Sequence, residues 1–153
     1  MEMSDLQLRR AHAMMQQHTS SVASKLRVII VEDSAIIRAR LMESLAEIPN
    51  IEIVGEVETE ASALAAMADR QWDAAVLDLQ LKQGTGLGLL KALAQTGRPP
   101  NTKVIVFTNY AFPQYRERSL ALGADFFFDK AREYHRVREV LDTLASERTS
   151  GAH

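Results

Sequence analysis

Strand-like and helix-like segments alternate without a break from residue 26 to residue 147, and this alternation limits the folds open to the chain. Each short run of β-branched and other apolar residues is followed by a segment with apolar residues at helical spacing. The pattern therefore predicts a protein of the α/β class. The five predicted strands cover residues 26–31, 51–58, 73–78, 103–108 and 124–129. The five predicted helices cover residues 34–48, 60–71, 87–95, 113–122 and 131–147.

The arrangement of the sheet also follows from the pattern. Strict alternation favours a parallel sheet with helices on both faces. Crossovers between parallel strands are right-handed, so only a few doubly wound arrangements remain. The second predicted strand, at 51–58, alternates apolar residues with mostly acidic ones, as an exposed edge strand does. We therefore predict a flavodoxin-like (βα)5 fold with five parallel strands in the order 2-1-3-4-5.

One domain is predicted, with an extension at each end. The 153 residues, of which 46% are hydrophobic, suffice for one core and are too few for two domains of ordinary size. Residues 26–147 form the predicted domain. Residues 1–25 are predicted to be an arm and linker, flexible or partly helical, with Ser4 or Asp5 as a helix cap. Residues 148–153 form a predicted C-terminal tail, and no DNA-binding output domain is expected.

Composition excludes several classes of function. Eighteen Lys and Arg residues against twenty Asp and Glu residues give a formal net charge of -2, which favours neither nucleic acid nor an anionic membrane as a partner. Without cysteine the chain has no disulfide, no thiolate nucleophile and no cysteine-ligated zinc or iron–sulfur site. No run of about 18 apolar residues occurs, and the N-terminus is too polar for a signal peptide. A cytoplasmic location is therefore expected.

Polar residues gather at the carboxyl ends of the predicted strands. They are Glu32 and Asp33 after the first strand, Asp78 at the end of the third, Thr108 at the end of the fourth, and Asp129 and Lys130 at the end of the fifth. All strands of a parallel sheet run the same way, so these side chains share one edge, and open sheets bind ligands there. The first and third strands are neighbours in the predicted order. We therefore expect the carboxylates of Glu32, Asp33 and Asp78 to lie close together.

An acidic cluster of this kind needs a cation or shifted pKa values, because three carboxylates repel one another. Mg²⁺ prefers carboxylate oxygens, completed by water and phosphate oxygens. The ammonium group of Lys130 and the hydroxyl of Thr108 suit the oxygens of a phosphoryl group. A carboxylate aimed at such a group, here Asp78, can act as a nucleophile and form an aspartyl phosphate. Taken singly, each residue is explained as a helix cap or a solvated side chain, so the joint pattern carries the prediction.

Four motifs in these segments resemble those of a known family. They are VEDS after the first strand, VLDLQL with GTG downstream, VFTN at the end of the fourth strand, and GADFFFDK around the fifth. In these motifs, and over residues 26–147, the chain resembles the receiver domain of a two-component response regulator. The resemblance implies a phosphorylatable switch that receives its phosphoryl group from a histidine kinase or a histidine phosphotransfer protein. It also implies Mg²⁺ as the cofactor and no enzymatic activity beyond slow loss of the phosphoryl group.

The resemblance assigns a role to each residue of the edge. The implied roles are Asp78 as the phosphoacceptor; Asp33, Asp78 and the backbone carbonyl of Gln80 as Mg²⁺ ligands, with Glu32 assisting through water; Thr108 and Lys130 as ligands of the phosphoryl oxygens; and Thr108 with Phe127 as the switch. In a strand Phe126 and Phe128 face one side and Phe127 the other, so the outer two are predicted to be core residues. For Phe127, docking of a partner protein is the alternative to the switch role.

Five positions either depart from the commonest form of this family or are variable in it. Lys82 and Ala131 stand where prolines are frequent, and without the second proline the loop is expected to lack a cis peptide bond. Asn109 is larger than the usual residue after the threonine. Gln80 and Tyr110 occupy two variable positions beside the site, where side chains affect how fast the aspartyl phosphate hydrolyses. Tyr110 is predicted to shield the phosphoryl group from water.

Several routes lead from the phosphoryl group to an output. A receiver without an output domain acts through contacts with a downstream protein, as a diffusible output, a phosphorelay intermediate or a phosphate sink. The oligomeric state is open, a homodimer included. The last two helices offer a docking surface, for which a solvated helix face is the alternative explanation. Its candidate residues are Tyr115, Arg116, Arg118, Arg132, Arg136 and Arg138.

Three other functions are weaker alternatives. A phosphatase or phosphotransferase of the haloacid dehalogenase type also uses an aspartate at a strand end with Mg²⁺, but it expects a second acid two residues later, where this chain has Gln80. A receiver-like interaction module that works without phosphorylation has no need of the aspartate, threonine and lysine of the edge. Phosphorylation of His12 or His18 is the third alternative, and two histidines in a polar segment are more simply explained as solvent-exposed.

Overall fold

The computed structural model of the protein describes residues 4–7 and 24–150. Most of the predicted arm, including His12 and His18, lies outside the described residues. The Ser4 hydroxyl accepts a hydrogen bond at 3.2 Å from the backbone N–H three residues later, at a short turn of helix. Ser4 is therefore the cap of that turn, one of the two candidates predicted from the sequence.

Strands and helices alternate through the described segment 24–150, as predicted, with ends that differ from the predictions by at most three residues. The strands are β1 (Leu26–Val31), β2 (Ile51–Val57), β3 (Ala74–Leu77), β4 (Lys103–Thr108) and β5 (Phe126–Asp129). The helices are α1 (Ala35–Ala46), α2 (Glu60–Asp69), α3 (Gly86–Thr96), α4 (Pro113–Ala121) and α5 (Tyr134–Ser150). None of the helices in the described part of the chain has both the length and the apolar character needed to cross a membrane.

The strands form one parallel sheet in the order β2-β1-β3-β4-β5. The predicted order is confirmed, and β2 is an edge strand, as its alternating pattern predicts. The strand order reverses between β1 and β3, so this pair forms the switch point at which open sheets bind ligands. Val31 pairs with Leu77 at the ends of these strands, and the residues that follow them, Glu32 and Asp78, are therefore neighbours.

The sheet separates two layers of apolar core. Alternate residues of β1 point to opposite faces, with Val28 and Ile30 in one layer and Ile29 and Val31 in the other. The layer with Ile29 is covered by α2, α3 and α4, and it includes Phe127. The layer with Val28 is covered by α1 and α5. Because the central strands are buried on both faces, the carboxyl edge is a rigid base for polar side chains.

Three helices begin at this edge with a hydroxyl cap. Ser34, Thr59 and Thr85 each accept a hydrogen bond from the backbone N–H three residues later, at 3.3, 3.0 and 2.9 Å. The cap predicted at Ser34 is confirmed. The positive ends of α1, α2 and α3 therefore point toward the edge where the acidic residues lie, and they favour negative charge there.

The last helix differs from its prediction of 131–147 and runs instead over Tyr134–Ser150. Its start is delayed by a turn centred on Asp129. The Asp129 carboxylate accepts a hydrogen bond from the Ala131 N–H at 2.9 Å, and the Asp129 carbonyl accepts one from the Glu133 N–H at 2.7 Å. The peptide bond before Ala131 is trans, as the lack of proline predicts.

Candidate functional site

Three carboxylates meet at the carboxyl edge of the sheet. Glu32 and Asp33 follow β1, and Asp78 follows β3. One oxygen of each carboxylate lies within 4.8 Å of one oxygen of each of the others. Backbone pairing holds the two strand ends together, since the Asp78 N–H donates to the Val31 carbonyl at 3.1 Å. The structure thus brings together the three acids that the sequence predicted to cluster.

Lys130 pairs with two of these carboxylates. It follows β5, and its ammonium group donates hydrogen bonds to Asp78 Oδ2 at 2.7 Å and to Glu32 Oε1. The same Nζ atom lies 5.9 Å from the centroid of the Phe107 ring, which adds a cation–π contact. The side chains of Lys130, Glu32 and Asp78 are each at most 8% exposed. One cationic side chain therefore joins the ends of β1, β3 and β5.

The cluster has more negative than positive charge. Three carboxylates and one ammonium group give a formal charge of -2 when all four are ionised. Burial raises the pKa of Glu32 above its usual value, although hydrogen bonds from Lys130 and Ser34 oppose the shift. Burial alone lowers the pKa of Lys130, but its hydrogen bonds to Asp78 and Glu32 outweigh that effect and raise the pKa. Lys130 is therefore charged at neutral pH.

The residues present fit a hard divalent cation. Carboxylate oxygens are the ligands that Mg²⁺ prefers, and the +2 charge of one such ion balances the cluster. Asp33 is accessible to solvent, and its carboxylate has no hydrogen-bonding or ion-pairing side chain among the described residues. Gln80 lies on the loop after β3, where its N–H donates to Asp78 Oδ1 at 3.3 Å. Asp33 is thus open to an incoming cation, next to the two buried acids.

Thr108 lies at the end of β4, close to Lys130 in the backbone but not bonded to the acids. It is fully buried, and its carbonyl accepts the Lys130 N–H at 3.0 Å. Its hydroxyl oxygen accepts the Tyr110 N–H at 3.1 Å. Within the described part of the chain the Thr108 hydroxyl has no hydrogen bond to the acidic cluster.

The three phenylalanines of β5 divide between the two core layers, as predicted. Phe126 and Phe128 face the α5 side, with ring centroids 6.0 Å apart. Phe127 faces the opposite layer, where it is 3% exposed. The centroid of its ring lies 5.7 Å from the guanidinium carbon of Arg116 on α4. Because Phe127 is buried, it does not fit the alternative of an exposed docking residue. The role of Phe127 and Thr108 as a switch stays a prediction.

Gln80 and Tyr110, the two variable positions, line one shallow groove of about 270 Å³. Tyr110 is 39% exposed, and its ring meets that of Tyr115 edge to face with centroids 6.3 Å apart. Leu79, the residue after the predicted phosphoacceptor, also lines the groove. Tyr110 is thus partly exposed at this groove, and its role as a shield from water stays a prediction.

Arg38 contacts the site, although sequence analysis did not predict it. Its Nη1 donates to the Glu32 carbonyl at 2.8 Å. Its guanidinium group also forms ion pairs with Glu56 at 3.5 Å and Glu58 at 3.3 Å. Arg38 thereby joins α1 to the end of β2 and to the residue that follows it, next to the acidic cluster. The available signal is its spacing of one helical turn from the Ser34 cap, which places it near the edge.

Gly86, the first residue of α3, is required by a close approach of two backbone segments. A Cβ atom there would lie 2.2 Å from the Asp78 carbonyl oxygen and 2.7 Å from Leu79 Cα. Rotation of a side chain cannot relieve either contact. We expect Gly86→Ala to lower the free energy of unfolding by about 3 kcal/mol, measured by urea unfolding. It should also weaken Mg²⁺ binding in calorimetric titrations, because the Asp78 backbone must shift.

Gly97→Ala is the matched control for this prediction. Gly97 has a φ of +83°, and no atom lies within 4 Å of a Cβ added there. Its substitution should cost about 2 kcal/mol, because a φ of 83° with a ψ of 164° is a backbone conformation nearly restricted to glycine, and it should leave Mg²⁺ binding unchanged. Wild-type Mg²⁺ affinity in Gly86→Ala would contradict the prediction that this contact positions the acid.

The fold and the site together define a class of protein. A parallel sheet in this order, with acids and a lysine at its carboxyl edge, is typical of flavodoxin-like α/β proteins that bind their ligands at the strand ends. Within that class, the model of the response regulator receiver domain matches residues 28–142. The chain belongs to this family of two-component signalling domains. Receiver domains generally bind Mg²⁺ at an acidic pocket, and Glu32, Asp33 and Asp78 form such a cluster here.

Curated relatives match this chain over part of their own length. A protein-glutamate methylesterase/protein-glutamine glutaminase of Methanospirillum hungatei is 30% identical over 115 residues, which are 75% of this chain and 34% of that protein. The DNA-binding transcriptional activator DevR/DosR of Mycobacterium tuberculosis is 29% identical over 104 residues, which are 68% of this chain and 47% of that protein. The chain thus spans between a third and a half of these relatives.

Solved structures show the same fold. The isolated REC domain of RcsB from Salmonella enterica serovar Typhimurium, determined in the presence of the phosphomimetic BeF3-, superposes with a TM-score of 0.70 at 23% identity. That comparison covers 84% of this chain and 98% of the other. The response regulator domain of Thermotoga maritima CheB gives a TM-score of 0.68 at 20% identity, covering 82% and 97% of the two chains. At these identities the likeness shows the fold alone.

Proposed function

We propose that the protein is a phosphorylatable switch of a two-component system or phosphorelay. Asp78 accepts a phosphoryl group from a phosphohistidine on a histidine kinase or a histidine phosphotransfer protein. Glu32, Asp33, Asp78 and the backbone carbonyl of Gln80 hold Mg²⁺. The phosphorylated protein acts in the cytoplasm through contacts with a downstream protein, without nucleic acid or membrane.

The observation that carries this proposal is the environment of the Asp78 carboxylate. The side chain is 8% exposed, yet it belongs to a cluster with an excess of negative charge. Lys130 donates to one of its oxygens at 2.7 Å, and the Gln80 N–H lies 3.3 Å from the other. These contacts orient a buried nucleophile at a rigid sheet edge, with a cation beside it. Positioning and charge neutralisation are what phosphoryl transfer requires of a protein.

The transfer step balances without a further reactant. A carboxylate oxygen of Asp78 attacks the phosphorus of the phosphohistidine, and a P–O bond forms as the P–N bond breaks. The donor ring, protonated at its other nitrogen, keeps the electron pair of the broken bond and leaves as neutral imidazole. Lys130 neutralises charge on the transferred oxygens, and the Thr108 hydroxyl donates a hydrogen bond to one of them. Mg²⁺ held by Glu32, Asp33 and Asp78 would supply further positive charge to the transferred group.

Thr108 and Phe127 form the proposed switch. The new phosphoryl charge attracts the Thr108 hydroxyl, which in the present structure accepts a bond from the Tyr110 N–H. A shift of Thr108 changes the β4–α4 connection and the packing of Phe127 under α4, and so the surface of α4, β5 and α5. The switch is an equilibrium between the conformation described here and one with Thr108 shifted toward the phosphoryl group. Changing the ratio of the two conformations from 1:99 to 99:1 requires about 5.5 kcal/mol of differential stabilisation. Contacts of a phosphoryl group with a metal, a lysine and a hydroxyl are of this order.

Phosphoramidate tests the proposal, because it carries the P–N bond of a phosphohistidine. We expect the intact mass of the wild-type protein to increase by about 80 Da, one phosphoryl group, in Mg²⁺ and not in EDTA. The group should be lost in mild alkali, as an acyl phosphate is, whereas a phosphohistidine survives. No mass gain in Mg²⁺ would contradict the proposal and favour an interaction module that works without phosphorylation.

A further inference from the structure

Glu60 makes a contact that its own helix does not need. It is the first residue of α2, whose N-terminus is already capped by the reciprocal hydrogen bonds of Thr59 and Ser62. The Glu60 carboxylate instead accepts the N–H of Thr85 at 3.0 Å. Thr85 is the N-cap residue of α3. The negative charge of Glu60 therefore lies at the positive end of the neighbouring helix.

Two glycines leave the space that this carboxylate occupies. A Cβ atom at Gly88 would lie 2.2 Å from Glu60 Oε1, and one at Gly84 would lie 2.5 Å from Glu60 Cβ. Gly84 also has a φ of +78°, a conformation that favours glycine. A side chain at Gly88 would displace the carboxylate. The absence of side chains at Gly84 and Gly88 thus lets the Glu60 side chain lie against this segment.

The loop after Asp78 is tied to the β2–α2 connection at further points. The Glu60 N–H donates to the Gln83 carbonyl at 3.0 Å, and the Lys82 N–H donates to the Glu58 carbonyl at 3.2 Å. Lys82 Nζ lies 3.7 Å from the Glu58 carboxylate, but the lysine side chain is 68% exposed, so this ion pair adds little. The backbone hydrogen bonds and the Glu60 carboxylate therefore hold the loop in place.

This loop leads directly back to Asp78. Thr85 pairs with Gln80 across an isolated antiparallel bridge. The Gln80 N–H in turn points at Asp78 Oδ1, at 3.3 Å. Glu60 thus connects to Asp78 through Thr85 and Gln80, without touching it.

We infer that Glu60 is a positioning residue for phosphoryl transfer to Asp78. Its carboxylate holds Thr85, and through the bridge to Gln80 it sets the orientation of the acceptor carboxylate. This inference rests on the proposed function and adds a residue from outside the acidic cluster. Loss of the Glu60 side chain should slow phosphorylation more than loss of the Thr59 cap of the same helix does.

The test compares wild type, Glu60→Ala and Glu60→Gln with phosphoramidate in Mg²⁺, followed by intact mass over time. We expect Glu60→Ala to be phosphorylated about tenfold more slowly, because one hydrogen bond to a charged group is lost. Glu60→Gln should stay within about twofold of wild type, since its amide oxygen still accepts the Thr85 N–H. In ¹H–¹⁵N spectra, Glu60→Ala should shift the amide signals of Thr85 and Gln80.

Two further variants separate positioning from stability. Thr59→Ala removes the capping box of α2 and leaves the contact between Glu60 and Thr85, so it should be phosphorylated at the wild-type rate. Gly88→Ala fills the space of the Glu60 carboxylate and should reproduce the slowing seen in Glu60→Ala. The double variant Glu60→Ala/Gly88→Ala should be no slower than either single variant, because both remove the same contact.

Equal slowing by Thr59→Ala and Glu60→Ala would overturn the inference, since it would trace the effect to the stability of α2. An unshifted Gln80 amide signal in Glu60→Ala would overturn it as well. A wild-type protein that takes up no phosphoryl group would overturn the proposed function instead. In that case the Gln80 signal of the unphosphorylated protein would still decide whether Glu60 positions the loop.

Discussion

Asp78→Asn is expected to abolish phosphoryl uptake, with a rate more than about 1,000-fold below wild type, because the carboxamide is a poor nucleophile. The fold should survive the change. Asparagine has nearly the volume of aspartate, and its amide oxygen still accepts the hydrogen bond from Lys130. We expect an unchanged circular dichroism spectrum and no mass gain after incubation with phosphoramidate and Mg²⁺.

Asp69→Asn is the matched control, because Asp69 is an exposed acid at the end of α2 and lies outside the site. It should be phosphorylated at the wild-type rate. Uptake by Asp78→Asn at that same rate would contradict the assignment and place the phosphoryl group on another residue. Survival of the group in alkali together with its loss in acid would then identify a phosphohistidine, and His12 and His18 are among the four histidines of the chain that could carry it.

Lys130→Met is expected to lower the free energy of unfolding by about 4 kcal/mol in EDTA, because it leaves the buried carboxylates of Glu32 and Asp78 without their cation. For a chain of 153 residues this corresponds to a decrease of about 12 °C in the melting temperature. The formal charge of the acidic cluster changes from -2 to -3. Mg²⁺ should therefore bind about tenfold more tightly than in wild type and restore part of the lost stability.

Lys103→Met is the control for this experiment, since Lys103 is an exposed lysine at the opposite end of β4. Its melting temperature should stay near that of wild type in EDTA and in Mg²⁺. Thermal unfolding under both conditions, with calorimetric titration of Mg²⁺, distinguishes the variants. An equal decrease in both variants, or a Lys130→Met variant that Mg²⁺ does not stabilise, would show that Lys130 does not neutralise the acids.

Sequence periodicity predicted the sheet because the burial of each strand determines the pattern of apolar and polar residues along it. The acidic and apolar alternation of β2 marked an edge strand, and continuous apolar runs marked the central ones. Once the strand order was known, the shared edge followed, since parallel strands all end on the same side. Glu32, Asp33 and Asp78 could therefore be grouped without coordinates, and Ser34 could be recognised as a cap from its position alone.

Contacts that depend on side-chain reach could not be predicted in this way. The spacing of Arg38 from Ser34 places it near the edge but does not identify the Glu32 carbonyl as its partner. Glu60 acts on the loop before α3 rather than on its own helix, and no spacing rule connects the two. The space for Glu60 is created by glycines some 25 residues later in the chain. The start of α5 was also missed, because it depends on hydrogen bonds made by Asp129, which cap a turn instead of the helix.

The pairing of Lys130 with Glu32 joins residues 98 positions apart, and its pairing with Asp78 joins residues 52 positions apart. Such long-range contacts form only when β5 has docked on a sheet that already contains β1, β3 and β4. In a nascent or partly unfolded chain Asp78 does not yet have the Lys130 side chain beside it. Under the proposed function, only molecules whose sheet is complete through β5 present Asp78 with the lysine that phosphoryl transfer uses.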